Sequence, residues 1–268
     1  MTLSGYQVDV YENEEEMTDE DREEGSREHN LFRVLLCYII IGFLGWNIFY
    51  FIFTSSWFDI KKVTIHGNNY LNNDTILVQG ELTKPINIFH FDIERASKIL
   101  SYNPWIKEIT IKKIYPKQLD IKIVERKPGA LLYNNDLYYL VTTEGIILTA
   151  FKQFNNDFNQ YIITGLDINN KKPGDIIEDT AYKEVQRIIY GLNNLFPDQF
   201  YKIAIISGEE YLLLHNNDKI KVRVENSEQL INEWYLLQSA LQKIAAEQIS
   251  LQEINMKYQE RLLIILEE

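Results

Sequence analysis

The 268 residues are 46% hydrophobic and 25% charged with a formal net charge of −12, enough apolar material for one or two cores and too much for a wholly disordered chain. The charge is concentrated: eleven acids against Arg22 and Arg27 place −9 of it in residues 1–30, and the chain is nearly neutral from Leu31 onward. The single cysteine, Cys37, excludes an intramolecular disulfide, and the near-neutral folded part excludes the strong basic field that nucleic-acid binding needs.

A segment as acidic as residues 1–30, with almost no apolar periodicity, cannot bury enough surface to offset chain entropy, so it reads as a disordered tail. Residues 34–58 then contain no charged side chain. As a helix this run is roughly 37 Å long, ample for a hydrocarbon core of about 30 Å. The span is placed at residues 31–53, with Trp46, Phe49, Tyr50, Phe51, Phe53 and Trp57 as an interfacial belt. The run is too long for the apolar part of a signal peptide and follows an acidic segment, so it reads as an uncleaved anchor. Arg27 and Arg33 on one side are matched by Lys61 and Lys62 on the other, so the positive-inside count does not set the orientation. A short tail inside with the long region translocated is the simpler arrangement.

Beyond Trp57 the apolar positions alternate through Phe58, Ile60, Val63 and Ile65 to Gly67-Asn68-Asn69, a strand closed by a turn. Asn72 to Asp74 offer a cap for a helix carrying Ile76, and Asp92 caps another with Ile93, Ala96, Ile99 and Leu100 on one face. Asn103-Pro104 stops it, because proline disfavours helical geometry in the residue before it. Two strands follow, around residues 105–114 and 118–126, joined by Tyr115-Pro116-Lys117. The order is strand, helix, helix, strand, strand.

Here the residues resemble a known family. Phe58-Asp59-Ile60, Val63, Ile65-His66-Gly67-Asn68, Asn103-Pro104-Trp105-Ile106, Tyr115-Pro116, and Val124-Glu125-Arg126-Lys127-Pro128 look like the POTRA domain of the FtsQ/DivIB bacterial cell-division proteins, just after their single membrane span. Gly67, Asn68, Pro104, Trp105, Tyr115 and Pro116 are its structural motif residues. Downstream, a hairpin at residues 137–147, a strand and turn at 161–165, a helix from Thr180 to Phe196, two strands within 211–224, a helix from Ser227 carrying Leu230, Trp234, Leu237, Leu241 and Ile244, and a last strand at 261–266 are similar in order to the family's second domain. The expected fold class is therefore α+β: a disordered tail (1–30), one transmembrane helix (31–53), a POTRA-like β-α-α-β-β domain (57–127) and a β-rich mixed domain (128–268) ending in an exposed edge strand.

No catalytic constellation is apparent. His29, His66, His90 and His215 are scattered without metal-ligand spacing, and Gly67, Gly80 and Gly145 form no phosphate loop. The expectation is a non-enzyme without cofactor, metal or small-molecule substrate. Residues 57–128 carry twelve Lys or Arg against eight acids, dominated by Lys61, Lys62, Lys112, Lys113, Lys117 and Lys122. That pattern fits a solvated strand face, or attraction to anionic headgroups or an acidic partner segment.

The last strand of an open sheet presents unpaired N–H and C=O groups, a docking edge for another chain. The resemblance implies that this region receives FtsB, in complex with FtsL, and that a tyrosine after an Asp-x-Arg motif matters there. Tyr258 matches that tyrosine, while Asn255 and Lys257 replace the acid and the arginine; Lys257, Tyr258, Leu262 and Ile264 are the partner-binding candidates. A second departure is Glu209-Glu210 before Tyr211, where the family often has arginines before a tryptophan. The resemblance implies a single-pass inner-membrane protein at the division septum, N-terminus cytoplasmic and C-terminal domain periplasmic, that holds membrane-bound division proteins together and regulates wall synthesis. The alternatives are a single-pass sensor with a ligand-binding module and, more remotely, a membrane-anchored periplasmic hydrolase. A POTRA-bearing insertase is excluded by length, since no room remains for a large lipid-facing barrel.

Overall fold

The computed structural model describes residues 19–154, 160–207, 210–216, 220–247, 251–258 and 261–266. Helix α1 (Asp19–Thr54) is the longest element, and its Leu31–Thr54 part is long and apolar enough to cross a membrane, with none of it buried inside the protein. Residues 19–30, assigned to the tail on composition, continue this helix. Once the apolar part is helical, each residue added costs no new nucleus, and the Glu and Arg of this segment are good helix formers.

The helix, residues up to Asp59 and the segment Asn87–His90 form one compact unit. Within it, the Asn87 side-chain amide donates to the carbonyls of Ile52 (3.1 Å), Phe53 (3.4 Å) and Ser55 (3.2 Å). Terminal carbonyls of a helix have no intrahelical donor, and Asn87 supplies one. The rings of Phe53 and Phe58 both meet Phe89, at 5.7 and 5.3 Å.

The second unit holds two sheets. In the first, β1 (Lys62–His66) runs parallel to β3 (Gln118–Glu125), and β2 (Ile106–Ile114) pairs antiparallel on its other side, giving the order β1-β3-β2. Helices α2 (Asn73–Gln79) and α3 (Ile93–Ser101) begin at Asn72 and Asp92, whose side chains accept from the amides of Thr75 and Arg95. Buried Leu119, Ile121 and Ile123 form the inner row of β3, while Lys122 and Val124 face out. Gly67 has φ +85°, and a Cβ built there would lie 2.1 Å from the carbonyl oxygen of Ile123.

Two adjacent residues close this module. Glu125 accepts from three consecutive amides, those of Asn69, Tyr70 and Leu71, all at 2.8 Å. The Arg126 guanidinium donates to the carbonyls of Pro104 and Ile106, and its amide to that of Trp105.

The second sheet has nine strands: β4 (Ala130–Asn134), β5 (Leu137–Val141), β6 (Ile147–Phe151), β7 (Ile162–Thr164), β8 (Phe200–Ser207), β9 (Glu210–His215), β10 (Lys221–Val224), β11 (Leu251–Asn255) and β12 (Leu263–Leu266), in the order β12-β11-β10-β9-β8-β7-β4-β5-β6. Strands β4 and β8 extend the sequence expectation. In β4, Ala130, Leu131 and Leu132 are all buried, so the run has no alternation to mark it.

One face of the sheet carries the main core, onto which α4 (Thr180–Leu195) lays Tyr182, Val185, Ile188 and Leu192, all at most 1% exposed. The Tyr182 hydroxyl donates to the carbonyl of Thr142, and burial pushes its pKa up. Two helices, α5 (Ser227–Asn232) and α6 (Trp234–Glu247), replace the single helix expected after Ser227. The interruption falls at Glu233, between fully buried Leu230 and Leu237. On the opposite face, Leu131, Leu140 and Leu148 form a smaller cluster covered in part by Trp105 of the first module.

Replacing Gly67 with alanine would force a Cβ onto the Ile123 carbonyl in a left-handed backbone conformation, a cost of about 3 kcal/mol. Denaturant unfolding of Gly67→Ala should show this loss. A stability equal to that of the unsubstituted chain would contradict the geometry.

Candidate functional site: the C-terminal sheet edge

The C-terminal strands are built by one crossover and one reversal. Strand β11 pairs parallel to β10 after the chain has passed through α5 and α6, and β12 folds back antiparallel on β11. That leaves β12 at the end of the sheet, with no further strand on its outer side among the described residues. Its four residues are all apolar and all exposed: Leu263 47%, Ile264 41%, Ile265 38% and Leu266 58%. Ile264 lies opposite fully buried Ile254, on the core face, whereas Ile265 lies opposite Glu253 on the other face.

A charged network crosses that second face. Arg223 on β10 donates through Nε and Nη2 to the two carboxylate oxygens of Glu253 (2.6 and 3.1 Å) and through Nη1 to Glu210 on β9 (3.3 Å). The remaining oxygen of Glu210 accepts from Lys257 Nζ at 3.2 Å. The hydrogen bond from Lys257, with Arg223 beside it, holds the Glu210 carboxyl below its ordinary range.

The structure sorts the sequence candidates. Lys257 is committed to Glu210, so the ionic contact first sought with a partner is made inside the chain. Asn255 accepts from the Lys257 amide (2.9 Å) and shapes the turn. Tyr258 follows β11 in the connection to β12 rather than on the edge itself, and is 55% exposed. Leu262 packs onto the main core, which removes its side chain from the partner-facing set, and Ile264 remains on the edge. Glu209 lies outside the described residues. Sequence reasoning missed that the two departures compensate: an acid at position 210 and a lysine at 257 are opposite charges.

The motif residues of the first module are structural. Gly67 makes the turn; Asn68 donates to the Leu71 carbonyl (2.8 Å) and the Asn73 side chain (2.9 Å); Pro104 supplies a carbonyl to Arg126; Trp105 stacks near Tyr70 at 5.0 Å; and Tyr115-Pro116, a cis peptide, forms the β2–β3 turn. His66 approaches Asp120 at 3.4 Å. Among the described residues no group of three or more His, Cys, Asp or Glu is placed to hold a metal ion.

An apolar helix long enough to span a bilayer therefore precedes a β-α-α-β-β module with a mixed three-stranded sheet and a larger sheet that ends in an apolar edge. Residues 58–126 match the family model "POTRA domain, FtsQ-type". The chain is similar to the cell division protein FtsQ of Syntrophotalea carbinolica, 29% identical over 43% of this chain and 40% of that protein. It is similar also to the cell division protein DivIB of Clostridium acetobutylicum, 25% identical over 44% of this chain and 47% of that protein. Among solved structures, the major extracytoplasmic domain of the trans isomer of DivIB from Geobacillus stearothermophilus covers 40% of this chain and 84% of that one, at 13% identity and a TM-score of 0.27. The matched region spans less than half the length of the two curated relatives, and the likeness to the FtsQ/DivIB family read from the sequence stands on the family model and these two relatives.

Because its folded pKa is depressed, Glu210 contributes stability that is fully present above its ordinary value of 4.5 and lost as pH falls through the lower folded value. In a carboxyl NMR titration, Lys257→Gln should move Glu210 up toward that ordinary value. An unchanged midpoint would show that the Lys257 contact does not persist in solution.

Proposed function

We propose that this chain is a non-enzymatic, membrane-anchored division protein that links other membrane-bound division proteins at the septum by accepting a strand at its C-terminal edge. One observation carries the reading: β12 ends the nine-stranded sheet with four exposed apolar residues and, among the described residues, no strand on its outer flank. Main-chain hydrogen bonds to an added strand would supply affinity, and side chains alternating to the two faces would supply selectivity. Ile264 meets an incoming strand on the core face, Leu263 and Ile265 on the face of the charged network, and Tyr258 stands in the connection leading to this edge. An FtsB/FtsL-type complex is the partner that the family likeness supports. The orientation that follows has the acidic tail in the cytoplasm, the two sheets in the periplasm, and wall synthesis regulated by which proteins assemble there.

With the Arg223, Glu210 and Lys257 charges satisfied internally, partner selection at this edge rests on apolar and main-chain contacts more than on ion pairs. Co-purification of membrane-bound division proteins with the full chain should fall at least about tenfold for Ile264→Pro, which removes a backbone donor and distorts the edge. Tyr258→Ala should give a smaller loss. Undiminished recovery with Ile264→Pro would sink strand addition, and normal septation after depletion of the protein would sink the division role itself.

A further inference from the structure

We propose that the β2–β3 turn of the first module, with the start of β1, is a lipid-contacting tip that rests on the anionic surface of the bilayer crossed by α1. The pairing brings these segments together: the amides of Lys61 and Lys62 both donate to the carbonyl of Lys117 (2.9 and 3.3 Å), and Lys62 lies opposite Gln118. The amide of Ile60 donates to the carbonyl of Ile86 (2.9 Å), which sets the stretch containing Lys84 beside the same end of the sheet. Within residues 59–62, 84–86 and 113–118 the sequence has Lys61, Lys62, Lys84, Lys113 and Lys117 against the single acid Asp59. The tip is also apolar, with Ile114 45% and Tyr115 59% exposed. Lysines ringing an exposed aliphatic and an aromatic residue are the composition of a segment that lies in the headgroup region.

Chain length supplies the second half of the argument. Six residues separate Thr54, the end of α1, from Lys61, so the basic end of the sheet is tethered within roughly 25 Å of the end of α1. Each lysine near an anionic surface adds a weak attraction, and a tether of this length makes such attraction effective by keeping the local concentration high. The opposite end of the same sheet has no such constraint. The proposal requires only that α1 crosses the bilayer, and it is independent of orientation and of the division role.

The test uses the full chain in nanodiscs, carrying Cys37→Ser and a bimane fluorophore on Ile114→Cys, with spin-labelled lipid as quencher. Quenching should be at least about twofold stronger with a third phosphatidylglycerol in phosphatidylcholine than in phosphatidylcholine alone, and high salt should reduce it. It should fall to the phosphatidylcholine level in the combined variant Lys61→Gln, Lys62→Gln, Lys117→Gln. Equal quenching in the two bilayers, or quenching that survives the lysine substitutions, would overturn the proposal. So would shielding of the fluorophore by soluble polyglutamate but not by anionic lipid, since that outcome assigns the tip to an acidic protein segment. Should the combined variant unfold, as judged by its melting temperature, the salt and lipid comparisons on the lysine-bearing chain decide the matter.

Discussion

The carboxylate of Glu125 and the guanidinium of Arg126 between them hold five backbone groups, and the join between the two sheets depends on this pair. Glu125 gathers the amides of residues 69–71, which otherwise would face the end of β3 without acceptors. Arg126 gathers the carbonyls on either side of Trp105. Two consecutive side chains of opposite charge thus pair the backbone groups of two separate loops. With those loops fixed, Tyr70 lies against Trp105, and Trp105 reaches the Leu131, Leu140 and Leu148 cluster on the second sheet. Both sheets accordingly fall in one compact unit.

At the far end of that unit the electrostatics are arranged differently. Arg223 is shared between two glutamates, and the second of these is shared with a lysine, so the charges on this face of β9, β10 and β11 cancel one another at short range. The network is half exposed at Lys257, where screening keeps its energetic weight small. Its effect is chemical: it leaves the apolar side chains and the bare flank of β12 as the unsatisfied features of the edge.

Much of the first module was legible in the sequence because its turns and caps are local. Gly67 must be glycine for its own φ, and Asn72 and Asp92 each cap a helix by accepting from the amide three residues on. What escaped depends on tertiary context. Strand β4 is buried on both faces and so shows no period. The helix after Ser227 keeps its apolar spacing across the interruption at Glu233. At the edge, the terminal strand could be anticipated, but the Glu210–Lys257 pair joins positions 47 residues apart, and neither residue alone announces the other. The same distance hid the fact that Leu262 faces the core.

The parallel pairing of β10 with β11 has a consequence for when the edge comes into being. A parallel neighbour needs a crossover, here α5 and α6, so pairing of the terminal hairpin with the sheet requires a long loop to close. Among the described residues strand β12 pairs with the sheet through β11 alone. A chain in which the main core has not formed therefore offers no template for strand addition. Under the proposed strand addition, a partner that paired with this edge would select completed molecules and stabilise them by mass action.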